Sequence, residues 1–153
     1  MKIYKLTRKQ IIHAQLDQVW DFFSSPENLD ALTPQDMGFE ITSQKPLDPM
    51  HRGQLIDYVV SPISNIPLKW RTEIIEVVPK EKFIDFQLKG PYKLWRHTHY
   101  FKPTEDGIEM IDEVEYSLPL GILGRFVHFI FVKSKLEKIF DYRYQKVEET
   151  FNS

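Results

Sequence analysis

FIDFQLKGPYKLWRHTHYF, residues 83–101, decides the fold, because two runs of strand-forming residues meet at the Gly90-Pro91 turn and make a β-hairpin. Along the second run the side chains alternate. Trp95, His97, His99 and Phe101 share one face, and Arg96, Thr98, Tyr100 and Lys102 share the other. The first face is apolar enough to look inward, yet it carries two imidazoles. Buried imidazoles need hydrogen-bond partners, and a water-filled or ligand-filled interior supplies them. A lined cavity is the first expectation.

The chain around this hairpin reads as one domain, 1–153, since 153 residues are enough for a substantial core and too few for two domains of ordinary size. Its 20 basic residues are scattered among 22 acidic ones, which gives no electrostatic footprint for nucleic acid. The absence of cysteine removes disulfides, Cys-based zinc sites and thiol chemistry, and favours a reducing compartment. The amino end, MKIYKLTRKQ, has no apolar core of a signal peptide, so no leader and no first membrane span is expected, and the cytoplasm is the default. Aromatic residues make up 14% of the chain, and such side chains line a roomy interior as readily as they fill a tight one.

Upstream, residues 3–13 read as a first strand. Val19, Trp20, Phe22 and Phe23 then suit a short amphipathic helix over 16–23, and Pro26 suits the first turn of a second one over 27–32. From Phe39 to Ser117 the pattern is strand after strand, broken at Lys45-Pro46, Gly53, Ser61-Pro62, Pro79-Lys80, Gly90-Pro91 and Asp106-Gly107. In this antiparallel meander Trp70, Thr72 and Ile74 share an inward parity, as do Met110, Asp112, Val114, Tyr116 and Leu118. Asp112 therefore sits among apolar neighbours and needs a partner. After the Pro119-Leu120-Gly121 turn, Leu136, Phe140, Tyr144, Val147 and Phe151 repeat at helical spacing, which predicts a long carboxy-terminal helix. Its first part, FVHFIFV over 126–132, falls far short of the roughly 20 residues that span a bilayer and is expected to be buried against the sheet.

These elements add up to an α+β, helix-grip arrangement: a curved antiparallel sheet wrapped around a long carboxy-terminal helix, with two short helices after the first strand. A curved sheet cannot touch a straight helix everywhere, and the gap between them is a ready cavity. VWDFFSSPENLDALTP (19–34), PLKWRTEI (67–74), the 83–101 hairpin, DEVEYSLPLG (112–121) and IFDYR (139–143) together resemble the START-like, Bet v 1-like superfamily, in its bacterial ligand-binding SRPBCC branch. The resemblance covers nearly the whole chain. It implies binding of a hydrophobic or amphipathic small molecule in the central cavity. Some relatives are polyketide cyclases or dehydratases, and the fold leaves the ligand open.

The candidate ligand-binding residues are Trp70, Thr72, Asp85, Gln87, Trp95, His97, His99, Asp112 and Tyr116. Asp85 and Gln87 join the set through the resemblance and through a hairpin register pairing 85 with 97, since apolar patterning alone would turn Ile84, Phe86 and Leu88 inward. His97 and His99, at i and i+2, could present two nitrogens to a metal with Asp85 or Asp112. A hydrogen-bonded network with the carboxylates or Gln87 is the reading adopted, and no metal and no cofactor is assigned. The alternative function is a cyclase or dehydratase in which His97 or His99, oriented by Asp112, is a general base. The aromatic-rich helix surface is a candidate for pairing with a second copy. His13, His51 and His128 are read as surface or satisfied structural residues.

Overall fold

A computed structural model describes residues 1–62 and 65–153. Strands β1 (Tyr4–Ile12), β2 (Glu40–Ile41), β3 (Leu55–Val60), β4 (Leu68–Val78), β5 (Lys82–Lys89), β6 (Leu94–Thr104) and β7 (Gly107–Ser117) form one antiparallel sheet in the order β1-β7-β6-β5-β4-β3-β2. The β4–β5 register is interrupted at Arg71/Thr72 and again at Ile74/Glu76, and bulges of this kind bend and twist a strand pair.

Helix α1 (Leu16–Phe23) follows β1 and drives Val19, Trp20 and Phe23 into the core. The second expected helix is smaller than its pattern suggested. Pro26–Leu29 and Gln35–Met37 are 3-10 turns, and the Leu32→Leu29 and Thr33→Asp30 backbone bonds keep the tighter three-residue spacing between them. The early part of the meander also has less regular structure than expected, with β2 only a short edge strand.

The carboxy-terminal helix runs from α2 (Gly121–Val127) through a wide π turn (His128–Val132) into α3 (Lys133–Phe151). Its two ends are held differently. The last turns are tied to β1, where Gln10 Nε2 donates to the Tyr144 carbonyl (3.0 Å) and Asn152 Nδ2 to the Ile11 carbonyl (2.9 Å). The first turns approach the sheet through small contacts. A Cβ on Gly124 would lie 2.2 Å from the Pro119 carbonyl oxygen, so only glycine permits this closeness. Four residues on, His128 Nε2 pairs with the Tyr116 hydroxyl at 2.7 Å, and its ring stacks on Tyr4.

Two expectations for this helix fail. The 126–132 segment is not buried against the sheet: Gly124 and His128 alone are buried between 121 and 131, and Phe129 is 83% exposed. Further along, Arg143 faces the interior in place of Tyr144, which is turned out to solvent. Both positions are compatible with the spacing from Phe140 to Val147, and the buried Asp112 carboxylate attracts the guanidinium.

The apolar interior has two parts. One gathers Ile12, Val19, Trp20, Phe23, Phe83, Phe101 and Val147 beneath α1. The other gathers Val60, Trp70, Trp95, Val114, Leu136 and Phe140 under the middle of the carboxy-terminal helix.

Candidate functional site

Alternation on β6 turns Trp95, His97 and His99 to the concave face, and the β5–β6 register sets Asp85 opposite His97. Across β6, the β7 register sets Asp112 opposite His99. Two imidazoles thus lie between two carboxylates. The rings stack with centroids 3.7 Å apart. His97 Nε2 donates to Asp112 Oδ1 at 2.8 Å, and His99 Nε2 donates to Asp85 Oδ2 at 2.7 Å. The remaining nitrogens face the opposite carboxylates at longer range, His97 Nδ1 to Asp85 at 3.6 Å and His99 Nδ1 to Asp112 at 3.4 Å.

Arg143, from α3, closes this cluster from the helix side. Its Nη2 lies 3.4 Å from Asp112 Oδ1 and its Nε 3.4 Å from Asp112 Oδ2, while the guanidinium carbon sits 5.4 Å from the Phe23 ring centroid. Nothing in the sequence reading singled out Arg143. The signal was its place in IFDYR, three residues beyond Phe140 and four before Val147, on the buried stripe. The cluster also joins the two apolar clusters, since His99 stacks on Phe83 while His97 meets Phe140 edge-on.

The protonation states follow from these contacts. Burial pushes the Asp112 carboxyl up, but the Arg143 charge and the hydrogen bonds from His97 and His99 outweigh it and hold it well below the usual carboxylate range. Asp85 follows the same balance, against His97 and His99, and is also lowered. Burial and the charge of its neighbour His99 depress His97, overcoming its carboxylates. For His99 burial works downward too, but hydrogen bonds to Asp112 and Asp85 prevail and raise it. The two imidazoles are thus driven in opposite directions, His97 toward the neutral form and His99 toward the charged one, between two carboxylates and one guanidinium.

A cavity of about 470 Å³ lies between the sheet and the carboxy-terminal helix, within the roughly 300–1,000 Å³ of small-molecule sites. Its wall is overwhelmingly apolar, with Ile56, Tyr58, Val60, Trp70, Leu136 and Phe140 prominent. Asp85, His97, His99 and Arg143 reach the wall as one cluster, and Thr33, Thr72 and Lys135 also line it. Trp70 Nε1 donates to Thr72 Oγ1 (3.1 Å), which also pairs with the Tyr58 hydroxyl, and Trp95 Nε1 donates to Asp85 Oδ1 (3.3 Å). Burial pushes the Tyr58 and Tyr92 hydroxyls far up, so both stay neutral donors.

Of the nine candidate residues, Trp70, Thr72, Asp85, Trp95, His97 and His99 stand on the cavity wall. The other three do not reach it. Gln87 is spent on the hairpin turn, donating from Nε2 to the Tyr92 carbonyl (2.8 Å) and accepting the Tyr92 N–H. Asp112 lies behind the imidazoles, where it orients His97 and balances Arg143. Tyr116 spends its hydroxyl on His128, and burial pushes that hydroxyl up to about 12. Asp85, His97 and His99 also converge closely enough to hold a metal ion, with Asp112 behind them as a carboxylate partner to the rings. In this arrangement each imidazole donates to a carboxylate.

Comparison with solved structures gives the same architecture throughout the chain. A protein of Thermus thermophilus superposes with a TM-score of 0.74 at 16% identity, covering 95% of each chain. A protein of Chromobacterium violaceum gives 0.72 at 12% identity, covering 98% of this chain and 99% of its own. Ginseng major latex-like protein from Panax ginseng gives 0.69 at 11% identity, covering 97% of both. No protein-family model and no curated protein matches the chain. At these identities the likeness shows the fold alone, which is the α+β helix-grip fold of Bet v 1-like proteins. No helix of the described residues is long and apolar enough to cross a membrane.

Proposed function

We propose that this protein binds a small hydrophobic or aromatic molecule between its curved sheet and its carboxy-terminal helix. The observation that carries the reading is the composition of the cavity wall: predominantly apolar, with Asp85, His97, His99 and Arg143 gathered on it as one cluster. A ligand suited to such a wall has an apolar body and one neutral polar end. Burial of the body supplies affinity at roughly 25 cal/mol per Å² of apolar surface, and the polar end fixes direction. The cluster already pairs its carboxylates with imidazoles and a guanidinium, so a hydroxyl or carbonyl is better matched to it than a further ion.

The bonding of the imidazoles narrows the alternative, a cyclase or dehydratase, to one candidate nitrogen. A cyclase or dehydratase base must have a nitrogen free to take a proton from its substrate. Here Nε2 of each imidazole is engaged by a carboxylate, at 2.8 Å for His97 and 2.7 Å for His99, and Nδ1 of His99 lies 3.4 Å from Arg143 Nη2. Nδ1 of His97, 3.6 Å from Asp85, is left as the one nitrogen such a base would use.

Native mass spectrometry of protein purified without denaturation tests the reading directly. The expected result is an organic adduct released on denaturation. In parallel, a neutral fluorescent apolar probe such as N-phenyl-1-naphthylamine should bind and quench Trp70 and Trp95. Leu136→Trp, which places an indole in the cavity, should weaken probe binding about 10-fold or more while the thermal midpoint stays near the wild-type value. Absence of an adduct, together with equal probe affinity in Leu136→Trp, overturns the proposal.

A further inference from the structure

The carboxy-terminal helix begins with its apolar side facing outward. Ile122, Leu123, Phe126, Phe129 and Ile130 are 82, 58, 60, 83 and 59% exposed, and their spacing of i, i+1, i+4, i+7 and i+8 makes one continuous stripe. The opposite face holds only Gly124 and His128 against the sheet. Just before the stripe, Leu120 is held in the left-handed region (φ 71°), which L side chains rarely adopt, and is 74% exposed. An amphipathic helix in a monomer in water would be expected to turn the other way.

The charges around this stripe are of one sign. Between Glu115 and Glu137 the chain carries Arg125, Lys133 and Lys135 and no carboxylate. Lys135 is paired with Asp36, whereas Arg125, Lys133 and the nearby Lys2 have no carboxylate within 4.0 Å among the described residues. Lys2 and Lys133 both lie close enough to depress His128, which places them around the same end of the helix.

We infer that this segment docks on an anionic phospholipid bilayer, its apolar stripe lying in the interface and its cations reaching back to the lipid phosphates. The chemistry is that of an interfacial amphipathic helix, in which buried apolar area and attraction between cations and anionic lipid act together. A second copy of this chain fits less well. A two-fold pairing sets each patch against itself, so Arg125 and Lys133 would meet their own copies with no acid in the segment to neutralise them. On the inner side of the same stretch Gly124, Val127 and Phe131 belong to the cavity wall, and Leu123 reaches that wall from the edge of the stripe. The docked face and the proposed ligand site are thus two sides of one segment. An apolar molecule leaving the bilayer would meet the cavity there, a consequence that rests on the ligand reading; the docking itself does not.

The test is co-flotation of the ligand-free protein with vesicles of phosphatidylcholine and phosphatidylglycerol, against vesicles of phosphatidylcholine alone. Binding to the anionic vesicles is expected to be stronger by about fivefold for each engaged cation, and to weaken with added salt. The variant Ile122→Ser/Phe126→Ser/Phe129→Ser should lose flotation entirely while keeping the wild-type thermal midpoint and probe affinity, because none of the three lines the cavity. Arg125→Glu/Lys133→Glu should lose the preference for anionic lipid. Equal flotation of the triple variant overturns the inference. So does absence of flotation by the wild type, whether the protein is monomeric in sedimentation or forms a dimer that the triple variant dissolves; the dimer would assign the face to a second copy.

Discussion

Asp112→Ala is expected to destabilise the protein by about 3–5 kcal/mol, because it leaves buried cationic and polar groups without their counterion. His97 loses the 2.8 Å acceptor of its Nε2, and Arg143 loses its only carboxylate partner among the described residues. Nothing nearby replaces it, since the site is closed to water on this side and the Arg143 Nε already lacks a well-aligned acceptor. For a chain of this length the thermal midpoint should fall by about 10 °C. Asp112→Asn, which keeps the shape and one acceptor oxygen, should fall less. Asp85→Ala should also cost less, because the Asp85 side chain is 17% exposed at the cavity wall and water can take its place. Thermal denaturation of the three variants checks the order, and an Asp112→Ala midpoint equal to that of the wild type would sink it.

The same carboxylates set the behaviour with pH. Asp85 and Asp112 ionise more readily folded than unfolded, so the stability they add is complete above the unfolded carboxylate range, near pH 4, and is lost as pH falls through their lowered folded values. The imidazoles act in opposite senses. The raised His99 adds stability that is full below its unfolded value and fades as pH rises through the folded one. The depressed His97 adds stability above its unfolded value and loses it on acidification. The two therefore slope the stability curve in opposite senses around neutrality, and the carboxylates set its acid limb.

How much of this was open to a reader of the sequence depends on the physics behind each feature. Period-two alternation fixed the facing of Trp70, Trp95, His97 and His99, because one slip of register would expel the whole apolar set of a strand. The same parity placed Asp112 inside but could not tell a wall residue from one behind the wall, a distinction made by sheet curvature and by the pairing of β7 with β6. Gln87 shows a different limit. Its facing was read through the resemblance, but the hairpin turn competes for its amide, and a local side-chain-to-backbone bond won. On the helix, apolar spacing favoured Tyr144, and the electrostatic demand of a carboxylate on another element selected Arg143. The outward apolar stripe at 122–130 was the least legible feature, since an apolar run shows only that something must cover it.

Arg143→Met separates the electrostatic role of this helix from its packing role. In the wild type Arg143 holds Asp112 low, the carboxylates raise His99, and His97 resists protonation because of burial and the charge beside it. Removing the guanidinium leaves the carboxylates under-neutralised. The cluster should then bind a proton more readily, so that His97 titrates at higher pH than in the wild type, visible in its imidazole nitrogen shifts by NMR. Stability should fall by about 3–5 kcal/mol where that proton is scarce, since a buried charge has lost its partner. A His97 raised above its unfolded value adds stability that is present in mild acid and lost as pH rises. The gap between variant and wild type should therefore widen from mildly acidic to mildly alkaline solution. Arg143→Lys, which keeps the charge and loses the fork, should restore the wild-type titration of His97 better than it restores the thermal midpoint. A methionine variant in which His97 titrates as before, with a stability deficit independent of pH, would reduce Arg143 to a packing residue between Phe23 and Asp112.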